Sequence, residues 1–263
     1  MATPFLSLEQ DGPVATLVID RPSHKNALNE AMWAALPELA ESAATNAATR
    51  LLVVRGFGGA FSAGADISEF QDVYGTPDRA AAYSAKIASA LDALAKFPLP
   101  SLAAIDGACI GGGCGLAIAC DFRIATSRSV FGITPAKLGL AYPLNDMRRL
   151  ISTIGRSAAK DLLFTGRLVD ASEAHELGLA NRIVADHELP SSVREWTGQL
   201  LKASSNTARI TKQMIRLIDS GLVDEIPESR QLFLEAFQSA DFARGYRAFL
   251  QKQSFDFSDE GSR

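Results

Sequence analysis

Two glycine-bearing segments of this 263-residue chain are built to hold developing negative charge. One is Ala60-Phe61-Ser62-Ala63-Gly64-Ala65-Asp66-Ile67. The other runs from Ile105 to Gly115 and carries Gly111, Gly112 and Gly113 in succession. Each follows an expected strand and leads into an expected helix. Amide groups at a helix start have no partner inside the helix and point outward. Two of them, from separate loops, can converge on one oxygen and form an oxyanion hole, where a single donor is typically worth about 3 kcal/mol in the transition state. Glycine lets the backbone come close to a ligand. Taken singly, either segment reads better as a tight turn with close helix packing. No Gly-Lys-Ser/Thr follows the glycine run and no GxGxxG is formed, so it is not a phosphate loop.

Other reactive residue types are less suggestive. Asp146 stands at the start of an expected helix, where a carboxylate is a good cap. Glu69 and Asp72 precede Tyr74-Gly75 in a stretch that reads as solvated surface. His24, His175 and His187 show no pairing in sequence and read as surface or packing residues. Cys109, Cys114 and Cys120 are odd in number and crowd one apolar stretch, which fits buried small hydrophobes in a reducing cytoplasm better than disulfides or a metal site.

The elements that must position these residues follow from pattern. Nearly half the residues are apolar and the net charge is -4, so a sizeable core is available and nucleic acid is a poor partner. The N-terminal MATPFLSLEQDG shows no signal-peptide pattern, and no apolar run is long enough for a membrane span. Phe5 to Glu9 and Val14 to Asp20 alternate around Asp11-Gly12 as a hairpin. Asn29 caps an expected helix from Glu30 to Thr45, which Pro37 interrupts. Strands are expected at 51–54, 101–105, 122–125, 130–133 and 179–184. Helices are expected at 78–97, from the glycine run to Cys120, and at 146–154, 157–164, 172–177, 189–201, 206–219, 225–240 and 242–251. Strand, glycine turn and helix recur at no fixed period, which suits a spiral of ββα units and does not exclude a doubly wound sheet. Phe233, Phe237, Phe242 and Phe249 give the C-terminal helices more aromatic surface than they can hide alone. The tail after Phe257 is polar and expected to fray.

Several segments together, in order and spacing, resemble the crotonase, or enoyl-CoA hydratase/isomerase, superfamily. They are Arg21-Pro22 through Asn29, Phe61 to Asp66, Gly107 to Asp121, Phe131-Gly132, Lys137 to Leu140, Phe164 to Arg167 and Ala174 to Leu179. The resemblance implies an α/β fold, a crotonase-like spiral of ββα units over residues 1–200 with a helical C-terminal trimerisation region over 201–263. It also implies a homotrimer or dimer of trimers and an acyl-CoA thioester as substrate, with no cofactor beyond the coenzyme A of that thioester and no metal. The oxyanion donors would be the amides of Ala65 and Gly112. The strips Lys25, Ala27, Leu28 and Ala63, Ala65, Asp66, Ile67 would meet the adenine end of coenzyme A, with Asp66 structural or near the nucleotide.

The chain also departs from that pattern. Hydratases of the family hold a water between two glutamates, which belong where Gly115 and Pro135 stand. The stretch Ile133 to Tyr142 is similar to that of methylmalonyl-CoA decarboxylases, which place Thr134 and Tyr142 at the acyl end, although those enzymes keep an acid where Gly115 stands. Tyr142 also reads, equally well, as a residue covering a helix end. A decarboxylase or other lyase therefore fits the residues somewhat better than a hydratase. A hydratase or isomerase using other groups, or a silent acyl-CoA binder, are the alternatives.

Overall fold

The structure, a computed structural model, describes residues 3–258, so residues 259–263 of the expected tail lie outside the described residues. In chain order the strands are β1 (Leu6–Asp11), β2 (Val14–Ile19), β3 (Leu51–Gly56), β4 (Ser101–Ile105), β5 (Ala108–Ile110), β6 (Phe122–Thr126), β7 (Val130–Gly132), β8 (Leu168–Asp170) and β9 (Arg182–Val184). The helices are α1 (Glu30–Thr45), α2 (Phe70–Val73), α3 (Pro77–Ala95), α4 (Gly112–Ala119), α5 (Leu144–Thr165), α6 (Ala171–Glu176), α7 (Leu189–Leu201), α8 (Ser205–Asp219), α9 (Pro227–Phe237) and α10 (Ala240–Leu250).

β1 and β2 pair as the expected antiparallel hairpin, in register from Leu6 opposite Ile19 to Asp11 opposite Val14. The main sheet then grows in parallel, in the order β1-β2-β3-β4-β6-β9. Leu51 to Val54 and all of β4 are buried, the expected state of parallel strands covered on both faces. β5, β7 and β8 form a second, three-stranded sheet, and Ser62 continues it through a parallel bridge to Cys109. Successive strands thus alternate between two layers before each helix: β4, β5, α4, then β6, β7, α5. That is the ββα spiral, and it excludes the doubly wound alternative, in which every parallel strand would join one sheet.

Pro37 lies inside α1 without ending it. Proline removes one helical hydrogen bond, but Met32, Trp33, Leu36 and Ala40 bury the face on both sides of it, and packing dominates helix stability. The helices expected at 146–154 and 157–164 are two segments of α5 divided at Gly155, whose φ of 77° is not helical. Lys212 of α8 donates to Leu99 O at 2.9 Å and to Asp121 at 2.6 Å, tying α8 to the body. Beyond it, Phe233, Phe237, Phe249 and Tyr246 are all more than half exposed. No helix among the described residues is long and apolar enough to cross a membrane.

Candidate active site

The strip 25–28 and the strip 63–66 lie side by side. Leu28 N donates to Gly64 O at 2.7 Å, Asp66 N donates to Leu28 O at 2.9 Å, and Ala63 N donates to Lys25 O at 2.9 Å. Leu28 and Ala65 are therefore partners in a parallel bridge. Because the groups flanking Ala65 bond to Leu28, its own N–H points the other way, and it has no acceptor among the described residues. Gly112 is the first residue of α4, so its N–H also lacks a helical acceptor.

The two loops abut. Gly64 has φ +92°, and a Cβ there would come within 2.6 Å of Ile110 O and 2.8 Å of Gly112 N. A Cβ on Gly112 would stand 3.6 Å from Ala65 N. Two unpaired donors are thus brought together at the edge of a 250 Å³ cavity. Ala63, Ala65, Ile67, Gly112, Thr134 and Tyr142 all line it, with Trp33, Phe70, Ile87 and Leu91 supplying apolar surface. Such a wall, with a few convergent polar groups, suits a small acyl group.

The remaining expected site residues are off this wall. Lys25 is exposed, Ala27 is buried, and Leu28 is wholly buried with its N–H and C=O both bonded to the neighbouring strip. Asp66 is buried, pairs with Arg21 at 2.6 Å, and accepts from Ser68 N and Oγ. Burial would raise its carboxyl, but the Ser68 and Arg21 bonds outweigh that and hold it down at about 2.

The pattern of the enoyl-CoA hydratase/isomerase family matches residues 9–260. The chain belongs to that family. It is 32% identical to the protein named crotonyl-CoA hydratase of Syntrophomonas wolfei, over 98% of this chain and 99% of that one. It is also 32% identical to the "Probable enoyl-CoA hydratase echA8" of Mycobacterium tuberculosis, over 95% and 96% of the two chains. A solved structure from Hyphomonas neptunium, assigned to the same family, superposes with a TM-score of 0.92 at 45% identity, covering 96% of this chain and 98% of that one. The fold is accordingly the crotonase fold, and the protein is an acyl-CoA enzyme of this family.

Thr134 and Tyr142 supply hydroxyl groups to the cavity wall. The hydroxyl of Tyr142 lies 3.3 Å from where a Cβ on Gly115 would be. Burial, then Cys114 and Asp146, push the Tyr142 phenol well above its ordinary range. Thr134 Oγ1 is 3.7 Å from a Cβ placed on Gly111.

Asp146 corrects its sequence reading. It lies in the first turn of α5, as expected, but it makes no capping bond there and the capping position is Pro143. It is only 5% exposed, lines the cavity, and accepts from Arg149 Nη1 at 2.8 Å. Burial raises its carboxyl above the ordinary range, with Arg149 opposing and Asp92 reinforcing the rise. The signal was present in the sequence: Asp146 is four residues before buried Leu150, hence on the same helix face.

Glu69 is not free in solvent either, since it accepts from Glu30 N at 2.8 Å. Asp72 is exposed and pairs with Arg79 at 2.9 Å. The three cysteines are free and buried. Burial pushes Cys109 well up and Cys120 up to about 12, so neither is a nucleophile at neutral pH.

Proposed function

We propose that the protein is a lyase that takes an acyl-CoA thioester, holds its carbonyl oxygen between the amides of Ala65 and Gly112, and protonates the resulting enolate. The reaction that best suits the site is decarboxylation of a malonyl-type thioester. The C–C bond to the carboxylate breaks, its electron pair becomes the enolate, CO₂ leaves, and one proton is added at the α carbon. Enolate stabilisation is electrostatic, so the two amides carry most of the work and no base is required.

The observation that carries this proposal is the Tyr142 hydroxyl beside Gly115. By family register, that is the space of a glutamate. A phenol there is a proton donor facing the acyl group, with Thr134 alongside. Lys25 to Leu28 and Ala63 to Ile67 would receive the adenine end of coenzyme A. No resident cofactor is needed.

Hydration of an enoyl thioester is the second possibility, favoured by the names of the relatives. Asp146 is then the one carboxylate on the cavity wall among the described residues. We further propose a homotrimer or dimer of trimers, with residues 1–200 as spiral core and the apolar faces of α8 to α10 packed between copies, in the cytoplasm.

The test is turnover of methylmalonyl-CoA and crotonyl-CoA by the pure protein and by Tyr142→Phe, with the thioester infrared stretch of the bound ligand. Methylmalonyl-CoA is expected to lose CO₂, with Tyr142→Phe slower but equally good at binding. Crotonyl-CoA hydration is expected to be about 10²–10⁴-fold below that of a two-glutamate enzyme. Fast hydration without decarboxylation would select the second possibility. A thioester stretch identical in bound and free ligand would refute the oxygen site itself.

A further inference from the structure

Asp146 is a buried carboxylate that enolate stabilisation alone leaves without a role. Its Oδ1 accepts from Arg149 at 2.8 Å. The other arm of that guanidinium, Nη2, is bonded to Asp92 of α3. One cation thus serves two carboxylates. Oδ2 of Asp146 has no partner among the described residues, and Asp146 shares the cavity wall with Tyr142. A carboxylate kept only to bind Arg149 would be better placed outside an apolar cavity, because desolvating a charge is costly.

Tyr142 has the complementary problem. Giving up its proton would leave a phenolate in a site that already disfavours that charge. A second group must refill the hydroxyl as it donates.

We propose that Asp146 and Tyr142 form a two-member proton relay in the acyl pocket, with Asp146 acting through the Tyr142 hydroxyl on the α carbon of the bound thioester. This rests on the enolate chemistry proposed above. In the forward direction the Tyr142 O–H bond breaks and a C–H bond forms at the α carbon. No hydrogen bond joins the two side chains among the described residues, so the Asp146 carboxyl proton passes to the phenol oxygen through one solvent water, and the carboxylate left behind faces Arg149. Solvent then returns one proton to Asp146. In reverse, the Asp146 carboxylate takes the Tyr142 proton through the same water while the phenol oxygen takes the α proton. Asp146 is a positioning residue here, since it reaches substrate only through Tyr142.

The groups that face the pair are Arg149 on α5, Asp92 on α3, Cys114 on α4 and Cys109 on β5. Burial pushes the Cys109 thiol well above its ordinary range. Asp92 is held below its ordinary range: burial would raise it, but Lys96 and Arg149 prevail. Asp146 is therefore the group that titrates at the mild end. Its raised value keeps it protonated to higher pH than a free aspartate.

The experiment is exchange of the α hydrogens of propionyl-CoA in D₂O, followed by proton NMR across pH 4 to 9, for wild type, Asp146→Asn, Tyr142→Phe and the double variant. Asparagine keeps the acceptor for Arg149, and thermal unfolding confirms that each variant is folded. Wild-type exchange is expected to rise with pH through the raised Asp146 value. Asp146→Asn is expected to be about a hundredfold slower in kcat, with KM within about twofold and that rise abolished. The double variant is expected to be no slower than the slower single one, because the two residues act as a unit.

Exchange by folded Asp146→Asn at the wild-type rate and pH profile overturns the relay while leaving the enolate chemistry standing. Absence of wild-type exchange with a shifted thioester stretch also overturns the relay alone. Absence of both overturns the relay and the enolate chemistry together.

Discussion

Gly112→Ala separates the chemistry of the site from its packing. A Cβ at Gly112 would lie 3.0 Å from Trp33 Cζ2 and 3.1 Å from Trp33 Cη2, with Ala65 N at 3.6 Å. Trp33 is fully buried in the core, so the ring can yield only by a few tenths of an ångström. Overpacking of this kind costs roughly 1–3 kcal/mol. The helix preference of alanine over glycine returns about 0.5–1 kcal/mol, since Gly112 is in the first turn of α4. The net loss, at most about 2.5 kcal/mol, leaves a domain of ordinary stability folded.

The loss of function should be larger. In the proposed geometry the new methyl group, 3.6 Å from Ala65 N, crowds the oxygen held between the two amides and pushes it away from both. Losing one such donor costs about 10²–10³ in rate, so losing the position of both should cost at least about 10³. Urea unfolding measures the first quantity. Thioester turnover and the infrared stretch of the bound carbonyl measure the second. If Gly112→Ala binds thioester with the wild-type carbonyl shift and turns it over within about threefold of wild type, the oxygen is not held between these two amides.

Three further outcomes follow from the packing and electrostatics. Gly198 lies within α7 with open space where a Cβ would go, so Gly198→Ala should raise the urea unfolding free energy by about 1 kcal/mol without touching activity. Lys212→Met should lower stability by about 3 kcal/mol in the same assay, because it removes one partner of a pair that is largely shielded from water and frees α8 from Asp121 and Leu99. Asp66 has a folded pKa of about 2. Since this is below the ordinary aspartate value of about 3.9, its contribution of roughly 2 kcal/mol is full above pH 4 and is lost as pH falls toward 2. Asp66→Asn should flatten that part of the curve of unfolding free energy against pH.

Much of this molecule was legible from local pattern. α1, β4 and α7 fall where cap, periodicity and proline place them, because the rules that govern them act within a few residues. The short strands β5 and β8 did not show, since three residues carry no period and their pairing is decided by partners far along the chain. The loops that carry Ala65 and Gly112, which we propose hold the thioester oxygen, are marked in the sequence by their glycines, and the structure sets them side by side. Asp146 was misread because capping is a local rule, whereas its burial depends on α3 and on the loop that carries Tyr142. A polar residue on a buried helix face is the sign to follow in such cases.

The relation between Gly115 and Tyr142 bears on whether the site is degraded or rebuilt. If glycine at 115 stands for a glutamate, as the family resemblance implies, simple loss of that side chain would leave a hole or a water in its place. Here the space is filled: the Tyr142 hydroxyl and Leu91 Cδ1 are each 3.3 Å from a Cβ on Gly115. In this chain a glutamate at that position would press on the phenol and on Leu91, and one of them would have to move. A protein that merely binds thioester has no physical need for a hydroxyl at this point of the cavity wall, since a phenylalanine would fill the same volume. Gly115→Glu alone should therefore destabilise the fold by displacing Tyr142. It should also fail to create fast hydration, because Pro135 leaves the added carboxylate without its second partner. Only a chain in which Gly115→Glu raises crotonyl-CoA hydration to the rate of a two-glutamate enzyme would show that Tyr142 is a passive occupant.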